Sequence, residues 1–272
     1  MRILTAKEVE DRLENKMESL LHEAIHAAKA AARSIMPLYL TGLKSWKKKD
    51  GSLATEADEL AEKIIITMLG DHFPDYGFLG EELGSQGSKN VRWIIDPLDG
   101  TDLALRKIPM WAIMIALEVW QQIALGIIYN PISKNLYTAY RGGGAYRNNV
   151  RLHVSRVNKL EDSFILVSSF VKLNKNPFWP GFQTLMDKVS SWRGIGDCPG
   201  WMLVANGSAD LGAHFGLGPE DIAAPKIIIE EAGGKVTNLA GGDTIYSGHA
   251  LATNGRLHKE VIKLLHSSLT TK

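Results

Sequence analysis

Two aspartates that follow an apolar segment are the residues of this sequence best suited to bind a metal ion. Val91–Ile95 is mostly apolar and β-branched, Asp96 and Asp99 follow three residues apart, and Gly100 and Thr101 complete a turn. Carboxylates held close together repel one another, and a desolvated carboxylate needs a partner. A hard divalent cation suits this pair because it takes oxygen ligands. We therefore predict that the turn holds Mg²⁺ and that the metal serves phosphate chemistry.

The composition limits the classes of protein to consider. The chain has 272 residues, of which 45% are hydrophobic and 22% are charged, and its formal net charge is +1. This balance is typical of a globular protein and gives no argument for binding nucleic acid or an anionic membrane. Cys198 is the only cysteine, so no intrachain disulfide can form. An isolated cysteine of this kind is typically inert packing.

The sequence also predicts where the protein resides. Met1–Ser19 carries many charges and has no apolar central region, unlike a signal peptide. The longest apolar run, Ile108–Leu117, is shorter than the roughly 20 residues of a membrane-spanning helix. We therefore expect a soluble, cytoplasmic protein.

Two helices are predicted before the metal-binding turn. Residues 7–35 are rich in alanine and have apolar positions at helical spacing, and Pro37 is expected to end that helix. A second helix is predicted to begin at Thr55, whose hydroxyl can cap it. Between them, Trp46–Ala54 is predicted to be a polar loop. This loop is either a solvated run of charges or a segment that brings Asp50 to an active site.

Strands are predicted on both sides of the turn. Phe78–Glu82 is predicted to be a short strand that ends in two acids. Trp111–Trp120, Ile123–Tyr129 and Leu136–Tyr140 are strand-like segments joined by short turns. Such closely spaced strands predict a mainly antiparallel sheet. The residues after Gly100 are expected to start a helix, whose free N–H groups would suit a phosphate.

The second half of the sequence has a different pattern of elements. One helix is expected at Trp201–Gly207, and another has Asp221–Ala224 as its first residues, with Pro225 in its first turn. The change of pattern predicts two lobes, residues 1–150 and residues 151–272, with a cleft between them. The first lobe would supply most metal ligands and the second would supply the substrate side.

Three sequence motifs resemble the inositol monophosphatase family. They are Gly80–Glu82, Trp93–Thr101, and Asp221–Ala224 followed by Glu230–Gly234, in the family's order. The similarity extends over residues 20–265. It implies a fold of the α/β (α+β) class, a layered α-β-α-β-α sandwich of the inositol monophosphatase and fructose-1,6-bisphosphatase type.

The resemblance also implies which residues hold the metal. Glu81, Asp96 and the backbone carbonyl of Leu98 would bind one ion. Asp96, Asp99 and Asp221 would bind a second ion. Two or three Mg²⁺ ions are expected, with Mn²⁺ as an alternative and with Ca²⁺ and Li⁺ as inhibitors.

The catalytic residues follow from the same resemblance. Thr101 would orient the attacking water, and Glu82 would help through a water molecule at a weaker third metal. The partner of Thr101 is expected in the loop before Thr55. Asp50-Gly51-Ser52 has the D-x-S spacing of one branch of the family, so Asp50 is the predicted partner.

The residues on the substrate side depart most from the usual family pattern. Gly196-Asp197-Cys198 resembles the histidinol-phosphate phosphatase branch, in which Asp197 could pair with a cationic amine. His214 stands where an acid that contacts inositol is expected. Glu220 stands where relatives usually have tryptophan; it either adds charge near the metals or faces solvent, and we expect the second. The implied substrate-binding residues are Gly100, Thr101, Asp197, Cys198 and His214.

The resemblance implies a Mg²⁺-dependent phosphomonoesterase that acts on a small phosphorylated metabolite. myo-Inositol monophosphate is the default substrate, and histidinol phosphate and a 3′-phosphoadenosine nucleotide are the alternatives. A catalytically silent metal- or phosphate-binding regulator is the non-enzyme alternative, although the intact metal-binding motifs argue against it. A homodimer and sensitivity to lithium are expected from the resemblance, and neither nucleic acid nor membrane is an expected partner.

Overall fold

The computed structural model describes residues 16–49 and 51–267 of the chain. Its helices are α1 (Met17–Thr41), α2 (Glu56–His72), α3 (Thr101–Leu105), α4 (Phe170–Leu173), α5 (Trp179–Met186), α6 (Asp197–Ala205), α7 (Pro219–Glu231) and α8 (His258–Ser267). Its strands are β1 (Ser45–Lys47), β2 (Leu53–Thr55), β3 (Gly77–Gly80), β4 (Gly84–Gln86), β5 (Val91–Asp99), β6 (Ala112–Val119), β7 (Gln122–Asn130), β8 (Asn135–Tyr140), β9 (Gly144–Arg147), β10 (Val150–Arg151), β11 (Phe164–Val167), β12 (Ser191–Arg193), β13 (Leu211–Phe215), β14 (Lys235–Thr237) and β15 (His249–Thr253).

The larger sheet has eight strands in the order β10-β9-β8-β7-β6-β5-β3-β4. Neighbouring strands are antiparallel, except that β3 and β5 run parallel. The prediction of a mainly antiparallel sheet is confirmed. Strand β5 is buried on both faces, because Trp93 and Ile95 enter one core and Ile94 enters the other. The parallel pair brings the C-terminal ends of β3 and β5 to the same edge of the sheet.

The smaller sheet has five strands in the order β12-β11-β13-β15-β14. Strand β11 is parallel to β12 and β13, and β15 is antiparallel to β13 and β14. Its outer face carries an apolar core in which the rings of Phe182 and Phe215 meet edge to face, with centroids 5.8 Å apart. Strands β1 and β2 form a separate antiparallel pair.

The helices and sheets form five layers. Helices α1 and α2 cover the outer face of the larger sheet, α6 and α7 fill the space between the sheets, and α5 and α8 cover the smaller sheet. All of the residues in Ile222–Ile229 of α7 are buried. This helix lies so close to β7 that a Cβ atom at Gly126 would be 2.5 Å from Cγ2 of Ile227. The predicted α-β-α-β-α sandwich is confirmed.

Helix α1 extends beyond its predicted end. It continues through Pro37 to Thr41, whose hydroxyl donates to the carbonyl of Pro37. The extra turn is held by packing, since the ring of Tyr39 lies against that of Trp111 with centroids 5.2 Å apart. Residues 7–15 of the predicted helix lie outside the described residues.

The predicted loop Trp46–Ala54 contains a hairpin instead. Strands β1 and β2 pair in register, and the backbone N–H of Lys48 donates to the carbonyl of Ser52 over 2.8 Å. The hairpin therefore gives this lysine-rich segment a defined position.

Two helices of the second half begin earlier than predicted. Helix α6 begins at Asp197, not at Trp201. Helix α7 begins at Pro219, so Pro225 lies inside the helix and not in its first turn. Because proline has no N–H, Pro225 cannot donate to the carbonyl of Asp221, four residues earlier.

The predicted division of the chain and its predicted location are both untested by the fold. The division into residues 1–150 and residues 151–272 stays a prediction, and α7 from the second part packs against the larger sheet of the first. In the described ranges, no helix combines the length and apolarity that crossing a membrane requires. The cytoplasmic location stays a prediction.

Candidate active site

The two aspartates of β5 lie at its buried C-terminal end. Asp96 and Asp99 are 2% and 6% exposed. In a regular strand, residues three apart point to opposite faces. The pairing of β5 with β6 is irregular between these two residues, where Pro97 has no N–H to donate. This irregularity lets both carboxylates reach one cluster.

Asp221 completes this first carboxylate cluster. It is the third residue of α7, and its Oδ2 accepts a hydrogen bond of 2.6 Å from the backbone N–H of Gly218. Carboxylate oxygens of Asp96, Asp99 and Asp221 all lie within 4.8 Å of one another. The structure therefore brings together three residues that the family resemblance assigns to one metal ion.

The first carboxylate cluster is strongly desolvated. Burial raises the pKa of Asp96 and of Asp99 well above the usual value, and the nearby charges of Glu81 and Asp197, respectively, raise it further. Burial also raises the pKa of Asp221 to about 7. Buried oxygen donors that repel one another fit a hard divalent cation, which would neutralise them. The donors present are therefore the chemical type that Mg²⁺ prefers.

A second carboxylate cluster adjoins the first and consists of Asp58, Glu81 and Glu82. Carboxylate oxygens of these residues also lie within 4.8 Å of one another. Because β3 and β5 are parallel, Glu81 emerges from β3 beside the end of β5, and its backbone N–H donates to the carbonyl of Ile95 over 3.2 Å. After burial, the charge of Glu81 is the next cause that raises the pKa of Asp96. The two clusters therefore act on each other electrostatically.

A buried glutamate that local sequence patterns do not single out holds the turn of the second cluster. Glu62 of α2 is fully buried, and its carboxylate accepts hydrogen bonds of 2.9 Å from the backbone N–H groups of Glu82 and Leu83. A Cβ atom at Gly80 would lie 1.9 Å from Oε1 of Glu62. The glycine before Glu81 therefore makes room for the carboxylate that orients this turn.

A lysine from the β1–β2 hairpin enters the second cluster. Nζ of Lys48 lies 2.7 Å from Oε1 of Glu81 and 2.7 Å from Oε1 of Glu82. Burial disfavours the charge of this lysine, but the hydrogen bonds and charges of the two glutamates outweigh burial and raise the pKa of Lys48. The predicted catalytic role of Glu82 stays a prediction.

The hydroxyl of Thr101 lies between two acceptors. Its Oγ1 is 3.3 Å from Oδ1 of Asp58 and 3.1 Å from the carbonyl oxygen of Leu98. Both the backbone N–H and the hydroxyl of Thr55 donate to Oδ2 of Asp58. Burial raises the pKa of Asp58 to about 7. The predicted partner, Asp50, lies outside the described residues, so its role stays a prediction, and the structure places Asp58 at Thr101.

Gly100 forms the sharp turn that presents Thr101. Its φ of 84° lies in the left-handed region that favours glycine. A hydrogen bond also holds the backbone just before this turn, because the N–H of Leu98 donates to Oδ1 of Asp96 over 3.0 Å. The prediction that a phosphate binds at the start of α3 stays a prediction.

The start of α6 lies against the first carboxylate cluster. The backbone N–H of Cys198 donates to Oδ2 of Asp99 over 2.7 Å. Burial raises the pKa of the Cys198 thiol well above its usual value, and the charge of Asp99 adds to the effect, so the thiol stays protonated. Asp197 has a φ of 53°, which is uncommon for aspartate, and burial raises its pKa. Two of the predicted substrate-side residues therefore lie beside the first carboxylate cluster.

His214 has a different environment from the one predicted. It is fully buried, and its ring stacks on Trp201 with centroids 3.7 Å apart. Neither ring nitrogen has a hydrogen-bond partner within the described part of the chain. Burial lowers the pKa of His214 to about 3. A fully enclosed ring has no surface for a substrate to contact, so its placement does not support the predicted substrate role.

The expectation that Glu220 faces solvent was wrong. The residue is half-buried, and its carboxylate folds back so far that a Cβ atom at Gly218 would lie 1.8 Å from its Oε1. After burial, the charge of Glu220 is the next cause that raises the pKa of Asp221. Glu220 therefore adds negative charge to the first carboxylate cluster.

Comparisons with known proteins agree with this geometry. A family model described as the inositol monophosphatase family matches residues 16–270. Inositol-1-monophosphatase of Mesorhizobium japonicum is 38% identical over 231 residues, which cover 83% of this chain and 87% of that protein. Histidinol-phosphatase of Streptomyces coelicolor is 38% identical over 233 residues, which cover 82% of this chain and 88% of that protein.

The fold of this chain is also similar to that of a solved structure. The crystal structure of extragenic suppressor protein suhB from Bartonella henselae has a TM-score of 0.83 with this chain and is 34% identical. The match covers 91% of this chain and 98% of that protein. Both carboxylate clusters fall within the residues that the family model matches.

Proposed function

Since the chain belongs to the inositol monophosphatase family, we propose that it is a Mg²⁺-dependent phosphomonoesterase for small polar alcohol phosphates. Its relatives are named as phosphatases, and the chain is a phosphoric monoester hydrolase. The observation that carries the metal dependence is the convergence of Asp96, Asp99 and Asp221. Buried carboxylates this close together need a cation to neutralise them.

The metal would be held by residues from three parts of the chain. The proposed ligands are Glu81, Asp96, the carbonyl of Leu98, Asp99 and Asp221. Bound Mg²⁺ lowers the pKa of a water molecule and neutralises charge on the phosphate in the transition state. Phosphate monoester hydrolysis is extremely slow without a catalyst, so this neutralisation is a large part of what the site must supply. We propose two or three ions, with Mn²⁺ as an alternative.

Thr101 is proposed to hold the attacking water. A hydroxyl has one proton, so Thr101 donates either to Asp58 or to the carbonyl of Leu98 at any moment. Its oxygen can then accept a hydrogen bond from water. Because Thr55 fixes Asp58 with two hydrogen bonds, the orientation of the Thr101 hydroxyl is restricted before any substrate binds.

The candidate substrates are the three given by the family resemblance, of which a 3′-phosphoadenosine nucleotide is the third. myo-Inositol monophosphate is the default substrate of the family, and histidinol phosphate is the second candidate. The two relatives named for these activities are equally similar to this chain, at 38% identity. Asp197 favours histidinol phosphate, because it is half-buried beside Asp99 and a cationic amine would neutralise it.

The direct test measures phosphate release from all three compounds, with Mg²⁺ and with EDTA. We expect Mg²⁺-dependent release from at least one of them. The absence of release from any phosphomonoester would overturn the enzyme proposal, and release that persists in EDTA would overturn the metal dependence. In Asp197→Asn, kcat/KM for histidinol phosphate should fall about tenfold if the amine binds there, whereas inositol phosphate hydrolysis should change by less than about twofold.

Assembly and inhibition are proposed on the basis of the family resemblance. We propose a homodimer, which analytical ultracentrifugation would detect as twice the 29.9 kDa chain mass. We also propose that Li⁺ and Ca²⁺ inhibit the Mg²⁺-dependent reaction. Sedimentation as a monomer at all concentrations would contradict the first proposal, and unchanged activity in Li⁺ and Ca²⁺ would contradict the second.

A further inference from the structure

A group of histidines on the outer helical layer shares no residue with the two carboxylate clusters. His22, Glu23 and His26 lie on α1, and one nitrogen or oxygen atom from each lies within 4.8 Å of the others. Residues four apart are neighbours on a helix surface, and the rings of His22 and His26 have centroids 4.3 Å apart. Both histidines are exposed, and the Glu23 side chain is 20% exposed. The proposed phosphatase function uses none of these side chains.

A third histidine reaches the same carboxylate from α2. Nδ1 of His72 lies 2.8 Å from the carbonyl oxygen of Met68. A carbonyl can only accept, so Nδ1 carries the proton, and Nε2 of the neutral ring is then an acceptor. This Nε2 faces Oε2 of Glu23 at 3.6 Å. Two acceptors that face each other need a positive charge on or between them.

The other oxygen of Glu23 has an imidazole neighbour as well. Oε1 of Glu23 lies 3.2 Å from Nδ1 of His22. One carboxylate therefore faces imidazole rings from two different helices. We name these four residues, His22, Glu23, His26 and His72, the histidine cluster.

We propose that the histidine cluster binds a zinc ion between α1 and α2. Three imidazole nitrogens and one carboxylate oxygen form a donor set that Zn²⁺ takes readily, whereas Mg²⁺ prefers oxygen ligands. Tetrahedral zinc at its usual bond lengths holds its ligand atoms about 3.3 Å apart. The observed spacing within 4.8 Å on α1 must contract by up to about 1.5 Å, which these side chains can achieve by rotation about χ1 and χ2.

The local sequence also has a form known from zinc enzymes. His22-Glu23-Ala24-Ile25-His26 has the H-E-x-x-H spacing, in which two histidines bind zinc and the glutamate acts as a base. Here Glu23 contacts both His22 and His72, so it serves as a ligand. His72, which lies 3.6 Å from Glu23, would be the fourth ligand, and four protein ligands would close the site, which is typical of structural zinc. The ion would therefore fasten α1 to α2.

The test titrates the full chain with Zn²⁺ in excess Mg²⁺, against a chromophoric zinc chelator. The wild-type protein should bind zinc under these conditions. The double variant His22→Ala/His26→Ala should bind it about 100-fold more weakly, and His72→Ala about tenfold more weakly. His153→Ala is the matched control, because His153 is exposed and lies outside the histidine cluster. The variant Asp96→Asn/Asp221→Asn should retain this zinc.

A second measurement separates binding from loss of fold. Zinc in excess Mg²⁺ should raise the melting temperature of the wild-type protein and of His153→Ala but not of the double histidine variant. Circular dichroism checks that the double variant is folded. The proposal is overturned if the folded double variant binds zinc as tightly as the wild type. It is also overturned if zinc binding is lost only in the carboxylate variant, or if the wild type binds no zinc in excess Mg²⁺.

Discussion

The hydroxyl oxygen of Thr101 lies 3.3 Å from Oδ1 of Asp58, a residue 43 positions earlier in the chain. The other oxygen of Asp58 accepts the capping hydrogen bonds of Thr55 at the start of α2. One carboxylate therefore serves both as a helix cap and as the partner of the proposed water-binding hydroxyl. This shared use connects the start of α2 to the geometry of the proposed reaction site.

The Thr101–Asp58 contact should control turnover. Asp58→Asn keeps the size of the side chain but removes its charge, so we expect kcat to fall about 100-fold with a smaller change in KM. Thr67→Ala is the control, because Thr67 is an exposed hydroxyl of the same helix that bonds only to a backbone carbonyl. Steady-state kinetics measures both. If the kcat of Asp58→Asn equals that of the wild type, the proposed role of this contact is contradicted.

Removing one buried carboxylate should stabilise the metal-free protein while abolishing metal-dependent activity. Burial and neighbouring charges penalise ionised Asp96, and Asp96→Asn removes that penalty. In EDTA, the melting temperature of the variant should exceed that of the wild type by about 2 °C or more. Added Mg²⁺ should raise the melting temperature of the wild type only. A variant that Mg²⁺ stabilises as strongly as the wild type would contradict the assignment of Asp96 as a ligand.

Glu62 should be needed for the position of the second carboxylate cluster. Glu62→Ala leaves the backbone N–H groups of Glu82 and Leu83 without their acceptor, so the free energy of unfolding should fall by about 2–3 kcal/mol. The milder Glu62→Gln keeps one acceptor and should weaken Mg²⁺ binding with little loss of stability. Glu59→Ala is the control, since its side chain is 47% exposed on the same helix. Urea unfolding and Mg²⁺ titration give the two values, and equal results for Glu62→Ala and Glu59→Ala would contradict this role.

Lys48 should compete with the metal for Glu81. Its ammonium group lies 2.7 Å from both Glu81 and Glu82, so a divalent ion that uses Glu81 must displace it. In Lys48→Met, the Kd for Mg²⁺ should fall about threefold to tenfold. Lys47→Met changes an exposed neighbour and should leave the Kd unchanged. Weaker Mg²⁺ binding in Lys48→Met would show that the lysine supports the metal site.

His214 should make stability depend on pH. Burial lowers the pKa of His214 to about 3 in the folded state, against about 6.5 in the unfolded chain. As pH falls below about 6.5, the unfolded state binds a proton that the folded state does not, so the free energy of unfolding falls. Between about pH 7.5 and about pH 5.5, this loss should be about 1.4 kcal/mol. His214→Phe keeps a ring against Trp201 and should lose this part of the pH dependence in urea unfolding. An identical pH dependence in both proteins would contradict the prediction.

Local signals explain the parts of the fold that were predictable from the sequence. Val91–Ile95 is mostly apolar because Trp93, Ile94 and Ile95 are buried within β5, and that pattern can be recognised without knowing the neighbouring strands. The capping hydroxyl of Thr55 likewise predicted the start of α2 correctly. Pro37 and Pro225 misled the prediction of helix boundaries, because packing of the surrounding residues outweighs the loss of one hydrogen bond.

Asp58 and Glu62 show why part of the site could not be predicted. An acid near the start of a helix is favoured by the helix dipole and is common on exposed surfaces. Only contacts with residues distant in the chain, such as Thr101 and Glu82, reveal what these two acids do. The available signal was their spacing of four, which puts both on one face of α2. The contact of Lys48 with the second carboxylate cluster could not be predicted for a similar reason, since a run of lysines is typical of a solvated surface.

The position of α7 between the two sheets also determines when the carboxylate ligands can come together during folding. Asp221 arrives on this helix, whereas Asp96 and Asp99 arrive on β5, more than a hundred positions earlier in the chain. The first carboxylate cluster therefore cannot form until α7 has packed against β5. A divalent ion would meet its complete set of ligands only after these two elements have packed together. Because these ligands come together late, a bound ion would slow unfolding more than it accelerates folding.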